Sequence, residues 1–278
     1  MTSVALVTGA NQGLGLALVR GLARQWGDDG VVYLGARDEE RGRRAVAALR
    51  EEGVETRLQL IDVRDDASVA AAAGALRERH GGVDVVISNA AARISPGVPF
   101  AEQVDEFVDT NNHGTYRMIK AFVPLLNDGA RFLVVASSFG TLRSLSPKLH
   151  DRFDEATATP ESVESALDEY AALVREGRAE AAGWPEWINI PSKVGQVAAV
   201  RVLARELGAE AAERDLLVDA VCPGLVDTDA SRPWFADMSG ALSPDEAAVD
   251  VLWLATRPAG TREPYGELVQ RRRILPYR

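Results

Sequence analysis

Cysteine occurs once in the 278 residues, as Cys222, so the chain forms no internal disulfide and offers no cysteine cluster for zinc. A reducing, cytoplasmic setting is the expectation. Excess positive charge is also missing: 41 acidic residues against 31 basic ones leave a formal net charge of −10. That balance argues against a nucleic-acid binder, which carries a basic footprint. No apolar run approaches the ~20 residues of a membrane span, so no bilayer crossing is expected. The opening MTSVALVTGA lacks the basic region of a signal peptide. Lysine is scarce as well, with only Lys120, Lys148 and Lys193 among the basic residues, which makes each one conspicuous. What is present is globular: 46% hydrophobic and 26% charged residues, enough for a sizeable core.

Short β-branched runs alternate with longer alanine-rich amphipathic stretches. Strands are expected at 4–8, 31–36, 56–61, 83–88, 131–136 and 216–221, with a weaker one at 266–270. Helices are expected at 13–26, 39–51, 66–80, 111–126, 192–213 and 244–256. Runs such as Val4-Ala5-Leu6-Val7 do not alternate with polar residues, as in strands covered on both faces. The pattern predicts an α/β fold, a Rossmann-like doubly wound parallel sheet of about seven strands with helices on both faces. Residues 140–187 interrupt it with charged, helical sequence and no strand, which predicts a helical insertion after the fifth strand rather than a passive loop. The whole, 1–278, reads as one domain, with residues 225–240 as a lid.

Thr8-Gly9-Ala10-Asn11-Gln12-Gly13-Leu14-Gly15 joins the first strand to the first helix. Glycines there permit a tight turn and let main-chain N–H groups approach a pyrophosphate at the helix N-terminus. A glycine-rich turn alone is weak; on the first strand of a doubly wound pattern it is considerably stronger. The second strand ends at Arg37-Asp38, where an arginine suits the 2′-phosphate of NADP and an acidic residue the 2′-hydroxyl of NAD. Arg37 favours NADPH over NADH. Asp38 also reads as the cap of the next helix.

The GxxxGxG turn, Asp62-Val63, Asn89-Ala90-Ala91, Asn111, Ser138 and Pro223-Gly224, in this order and at these intervals, resemble the short-chain dehydrogenase/reductase superfamily over nearly the whole chain. The insertion before Gly183-Trp184-Pro185, with Ser146-Pro147, resembles the carbonyl reductase branch and implies a monomer. The resemblance implies that Gly9, Asn11, Gly13, Leu14 and Gly15 line the diphosphate of NADPH and Arg37 its 2′-phosphate. It places Asp62 and Val63 beside adenine, Asn89 against ribose, and Pro223, Gly224 and Thr228 at the carboxamide. Two departures stand out: Gln12 where NADP-dependent carbonyl reductases often carry lysine, and Ala91 where the family has glycine.

Members of this family reduce carbonyls with serine, tyrosine and lysine, the last two spaced Tyr-x-x-x-Lys. Hydride addition leaves an alkoxide, which needs hydrogen-bond donors at once and a proton soon after. Here Ser138 and Lys193 stand at the matching positions, but the residue four before Lys193 is Asn189. An amide donates a hydrogen bond and surrenders no proton near neutral pH. The expected catalytic set is therefore Ser138, Asn189, Lys193 and Asn111, with Lys193 also holding the cofactor ribose. The expected function is an atypical NADPH-dependent ketoreductase without a tyrosine proton donor. Resemblance to tyrosine-less members of antibiotic pathways implies a ketone of an aromatic polyketide or similar bacterial secondary metabolite. Ser138, Trp187, Trp234 and Phe235 are expected to meet this small-molecule substrate, and Trp184 and Ile190 are further candidates for a flat apolar site.

Two alternatives stay open. One is a non-redox enzyme, a cyclase, isomerase or lyase, with His113 as acid or base. The other is a non-catalytic NADP-binding protein. Arg271-Arg272-Arg273 reads as a solvated tail after the last strand.

Overall fold

The computed structural model describes residues 2–278. Its centre is an eight-stranded sheet in the order β3-β2-β1-β4-β5-β6-β7-β8. The strands are β1 (Ser3–Val7), β2 (Gly30–Ala36), β3 (Arg57–Leu60), β4 (Val83–Ser88), β5 (Leu126–Val135), β6 (Leu217–Val221), β7 (Leu268–Gln270) and β8 (Arg273–Leu275). All neighbours pair in parallel except β7 and β8. The absence of alternation in β1 has a simple cause. Val4 and Leu6 enter the core on one face of the sheet, while Ala5 and Val7 enter the core on the other.

Helices α1 (Gly13–Trp26), α2 (Glu39–Glu51) and α3 (Asp66–His80) begin and end where the sequence pattern placed them. Asp38 caps α2, its carboxylate accepting from the Arg41 N–H at 2.8 Å. The helix expected at 111–126 is different. A helix outside those expected, α4 (Phe100–Val108), with Val104, Phe107 and Val108 on its buried face, runs into a wide π-type turn (Asp109–His113) and continues as α5 (Gly114–Phe122). Such wide turns disturb the 3.6-residue spacing on which the expectation rested. After β5, short 3-10 turns precede α6 (Pro160–Arg175), so the strand-free excursion holds one full helix, started by a Thr159–Ser162 capping box. Then come α7 (Asn189–Glu213), bent at Gly208, and α8 (Pro244–Ala255).

The eighth strand corrects the expected end of the fold. Arg271 and Arg272, at φ 49° and 61°, form the two-residue turn of a β7–β8 hairpin, and the basic cluster is not a loose tail. Arg272 pairs with Asp250 at 3.2 Å. The sheet changes its winding direction between β1 and β4, which opens a crevice at the carboxyl ends of the strands.

Candidate active site

The turn after β1 lies at that crevice. Gly9 and Gly13 take φ of +62° and +55°, which favours glycine. A Cβ on Gly15 would stand 2.5 Å from the Gly9 carbonyl oxygen, so the close approach of α1 to the turn requires glycine there too. Gln12 at the start of α1 makes no side-chain cap, and the first turn holds no acidic residue. The leading N–H groups of α1 are thus uncapped donors facing the crevice end, a donor set that fits an anion such as a diphosphate. Arg37 is exposed at the end of β2 and makes no ion pair among the described residues.

Asn89 donates from Nδ2 to the Thr8 and Gly9 carbonyl oxygens at 2.9 and 3.3 Å. It braces the glycine turn, which leaves only its side-chain oxygen for a ligand. Val63 is buried, with its side chain packed close to Gly114. Asp62 accepts from the Arg64 N–H at 3.0 Å and stays at the edge. Ala91 does not adopt positive φ, so the missing glycine introduces no strain.

Beyond the turn lies a cavity of about 380 Å³ whose lining includes Ser138, Asn189, Lys193 and Asn111 together with Trp187, Trp234 and Phe235. Gly224 and Thr228 line it too, and Thr228 stands 3.5 Å from where a Cβ on Gly13 would be, which joins the cavity to the glycine turn. Ser138 begins a 3-10 turn just after β5. That turn is pressed onto α7: a Cβ on Gly140 would lie 2.9 Å from the Lys193 carbonyl oxygen. Asn189 and Lys193, four residues apart in the first turns of α7, share one helix face. Among the described residues the lining contains no tyrosine. Tyr33 bonds His80, Tyr265 and Tyr277 donate to the carbonyl oxygens of Ala204 and Phe153, and Tyr116 and Tyr170 are buried in helices away from the cavity.

Lys193 donates from Nζ to the Val135 carbonyl oxygen at 3.2 Å and to Gln196 Oε1 at 2.7 Å. Gln196, buried behind it, donates from Nε2 to the Asn111 carbonyl oxygen at 3.0 Å and to Thr115 Oγ1 at 3.2 Å. Burial pulls the Lys193 ammonium down to about 8, with the neighbouring Cys222 opposing the shift. Burial pushes the Cys222 thiol up, so it stays protonated. Asn111 accepts on Oδ1 from the Ala92 N–H at 2.9 Å and donates to Ser192 Oγ at 3.3 Å, tying the loop after β4 to α7. Gln196, Phe139 and Arg93 escaped the sequence reading. Gln196 lies one helical turn beyond Lys193, but nothing local to it marks it as a partner of that lysine.

Three sequence candidates lie elsewhere. Trp184 is buried in the insertion, its ring 4.8 Å from Tyr170 and 6.1 Å from Phe153, because an indole between helices completes their small core. Ile190 packs on the main core. His113 faces α6, bonding Glu164 from Nδ1 and Asp168 from Nε2, both at 2.9 Å. The Glu164 bond, helped by Asp168 and opposed by burial, raises its pKa. Held between two carboxylates outside the cavity, it is no acid or base for this site. The aromatic wall is Phe139 edge-on to Trp187 at 5.1 Å, with Trp234 6.5 Å beyond. Trp234 donates from Nε1 to the Ile94 carbonyl oxygen at 3.3 Å, which ties its loop to the loop after β4.

A doubly wound sheet with a glycine turn at its switch point, and a serine and a lysine meeting at the carboxyl edge, has the architecture of the dinucleotide-fold oxidoreductases. Residues 3–146 match the short chain dehydrogenase family, and the chain belongs to it. It is 34% identical to carbonyl reductase [NADPH] 1 of Rattus norvegicus over 278 residues, 99% of this chain and 98% of the rat protein. The Homo sapiens carbonyl reductase [NADPH] 1 is also 34% identical, over 275 residues, 98% of this chain and 97% of that one. Among solved structures, salutaridine reductase from Papaver somniferum shares the fold at TM-score 0.81 and 24% identity, covering 96% of this chain and 99% of that one. Menthone neomenthol reductase from Mentha piperita superposes at TM-score 0.80 with 25% identity, covering 98% and 99%.

Proposed function

We propose that this protein is an NADPH-dependent carbonyl reductase whose substrate oxygen is protonated without a tyrosine. The observation that carries this reading is the single cavity that holds Ser138, Asn189 and Lys193 and no tyrosine. Reduced nicotinamide, when bound, supplies the hydride. Gly9, Asn11, Gly13, Leu14 and Gly15 hold its diphosphate, Arg37 the 2′-phosphate, and Pro223, Gly224 and Thr228 the carboxamide end.

The Ser138 hydroxyl and the Asn189 amide donate to the oxygen of the carbonyl as its charge grows. Lys193, cationic below pH of about 8, adds positive charge. Its inward path ends at Gln196, and an amide relays no proton in its ordinary form. The proton therefore arrives from the cavity side. A ketone with a phenolic hydroxyl beside the carbonyl brings its own proton and its own polarising hydrogen bond. That chemistry and the aromatic wall support an aromatic polyketide or similar secondary metabolite as substrate. The packing of α6 over α4 and α7 supports a monomer.

The test is transfer of deuterium from NADPH, labelled at the nicotinamide C4, to an ortho-hydroxyaryl ketone. Label in the carbinol C–H is expected; product that forms with no label overturns the reading. Arg37→Ala is expected to weaken NADPH by about ten- to a hundredfold, the range of a charge-assisted hydrogen bond, and NADH little. Titration of cofactor fluorescence checks it. Gln196→Leu removes the acceptor that holds the Lys193 ammonium. We expect kcat to fall by about tenfold or more with little change in KM. The alkaline limb of the pH–rate profile should also move to lower pH, because the cation has lost a stabilising partner.

A further inference from the structure

We infer that the ketone accepted by this cavity carries an anionic group remote from its carbonyl, and that Arg93 at the cavity mouth recognises it. The inference rests on reading the cavity as the ketone site. Although the chain has 41 acidic residues, no aspartate or glutamate among the described residues lines the cavity. Its charged groups are Arg93 and the Lys193 ammonium, since Cys222 stays a thiol. An acidic protein has therefore left its site positive, and a concave, low-dielectric site focuses that field on whatever enters.

Arg93 is exposed, lines the cavity, and makes no ion pair or side-chain hydrogen bond among the described residues. On the lid, Asp227 and Asp229 are both bound by Arg232, at 2.7 and 2.9 Å. The position of Arg93 is also built. Asn111 pins the main chain at Ala92 on one side, and the Trp234 indole pins it at Ile94 on the other. A guanidinium so placed offers a planar, two-point donor set to a carboxylate at the outer end of a substrate whose carbonyl lies at Ser138.

The probes are 8-hydroxy-1-tetralone carrying a carboxymethyl group at C3 and the methyl ester of the same compound. Binding is read by quenching of tryptophan fluorescence, with Trp187 and Trp234 in the cavity wall, and needs no turnover. The acid is expected to bind about tenfold more tightly than the ester, and added salt to weaken the acid alone. Arg93→Gln should raise the dissociation constant of the acid to that of the ester, and Arg93→Lys should restore part of the difference. Equal binding of the two probes by the unmodified protein overturns the proposal, as does an equal loss for both in Arg93→Gln. A loss confined to NADPH also overturns it, because the coenzyme phosphate would then be the anion that Arg93 meets. Turnover separates this proposal from the reductase reading. Acid-selective binding without NADPH oxidation removes the reductase and leaves anion recognition standing, whereas equal NADPH-dependent turnover and binding of both probes does the reverse.

Discussion

Asn189→Tyr is expected to raise kcat/KM for a simple ketone, one with no neighbouring hydroxyl, by a factor on the order of 10²–10⁴, the usual contribution of a positioned general acid. For an ortho-hydroxyaryl ketone the same change should move kcat/KM by only a few-fold. The argument is geometric first. Residue 189 lies one helical turn before Lys193 on the same face of α7, and both line the cavity. A phenol there would sit beside an ammonium, and a neighbouring positive charge lowers the pKa of a phenol and readies it to give a proton. Ser138 already supplies a second donor. The contrast between substrates is the informative quantity. Equal gains on both ketones would mean that the native substrate does not bring its own proton. No gain on the simple ketone would mean that the missing acid is not what limits this site. Steady-state kinetics with the two ketones decides between these results.

Much of the frame was legible because its signals are local. Unbroken runs of β-branched residues mark strands buried on both faces, and Asp38 marks the start of α2 through a side chain that reaches only three residues ahead. The glycine turn was legible for the same reason, since positive φ and close approach are demands that a residue meets by itself. The failures are of another kind. Helix α4 was missed although Val104, Phe107 and Val108 have helical spacing, and the π-type turn at Asp109–His113 then breaks that spacing before α5. The β7–β8 turn is made by two arginines at positive φ, a conformation usually left to glycine or asparagine, so no turn signal was present.

In the site, Ser138, Asn189 and Lys193 could be named through the resemblance to the family, whose serine and Tyr-x-x-x-Lys pattern they match in position, and strand ends and the first turn of a helix bring them to one edge. Arg93 and Gln196 could not. Their meaning depends on what surrounds them in space: a cavity without carboxylates for one, and a lysine together with the Asn111 carbonyl of a π-type turn for the other. Trp184 shows the opposite error. An aromatic residue close in sequence to the site was drawn into the core of the insertion, because burial of a large apolar surface outweighs a position at the edge of a ligand site.

Lys193→Met should lower kcat by about 10²–10³, the loss expected when one preorganised source of positive charge is removed from a developing oxyanion. Methionine keeps the length of the chain and its packing, so the loss reports on charge more than on volume. The pH profile carries the sharper test. Burial takes Lys193 down to about 8 from the ordinary lysine value. A lysine is cationic below its pKa and neutral above it, so kcat/KM should be flat on the acid side and fall about tenfold per pH unit above about 8. In Lys193→Met that alkaline fall should vanish along with most of the rate. Lys193→Arg keeps a cation that does not deprotonate in this range, so whatever activity it retains should stay level through pH 9. The three profiles together decide whether the charge acts. A fall near pH 8 that persists in Lys193→Met would assign the titration to another group, and an unchanged rate in that variant would leave the ammonium no part in stabilising the oxyanion.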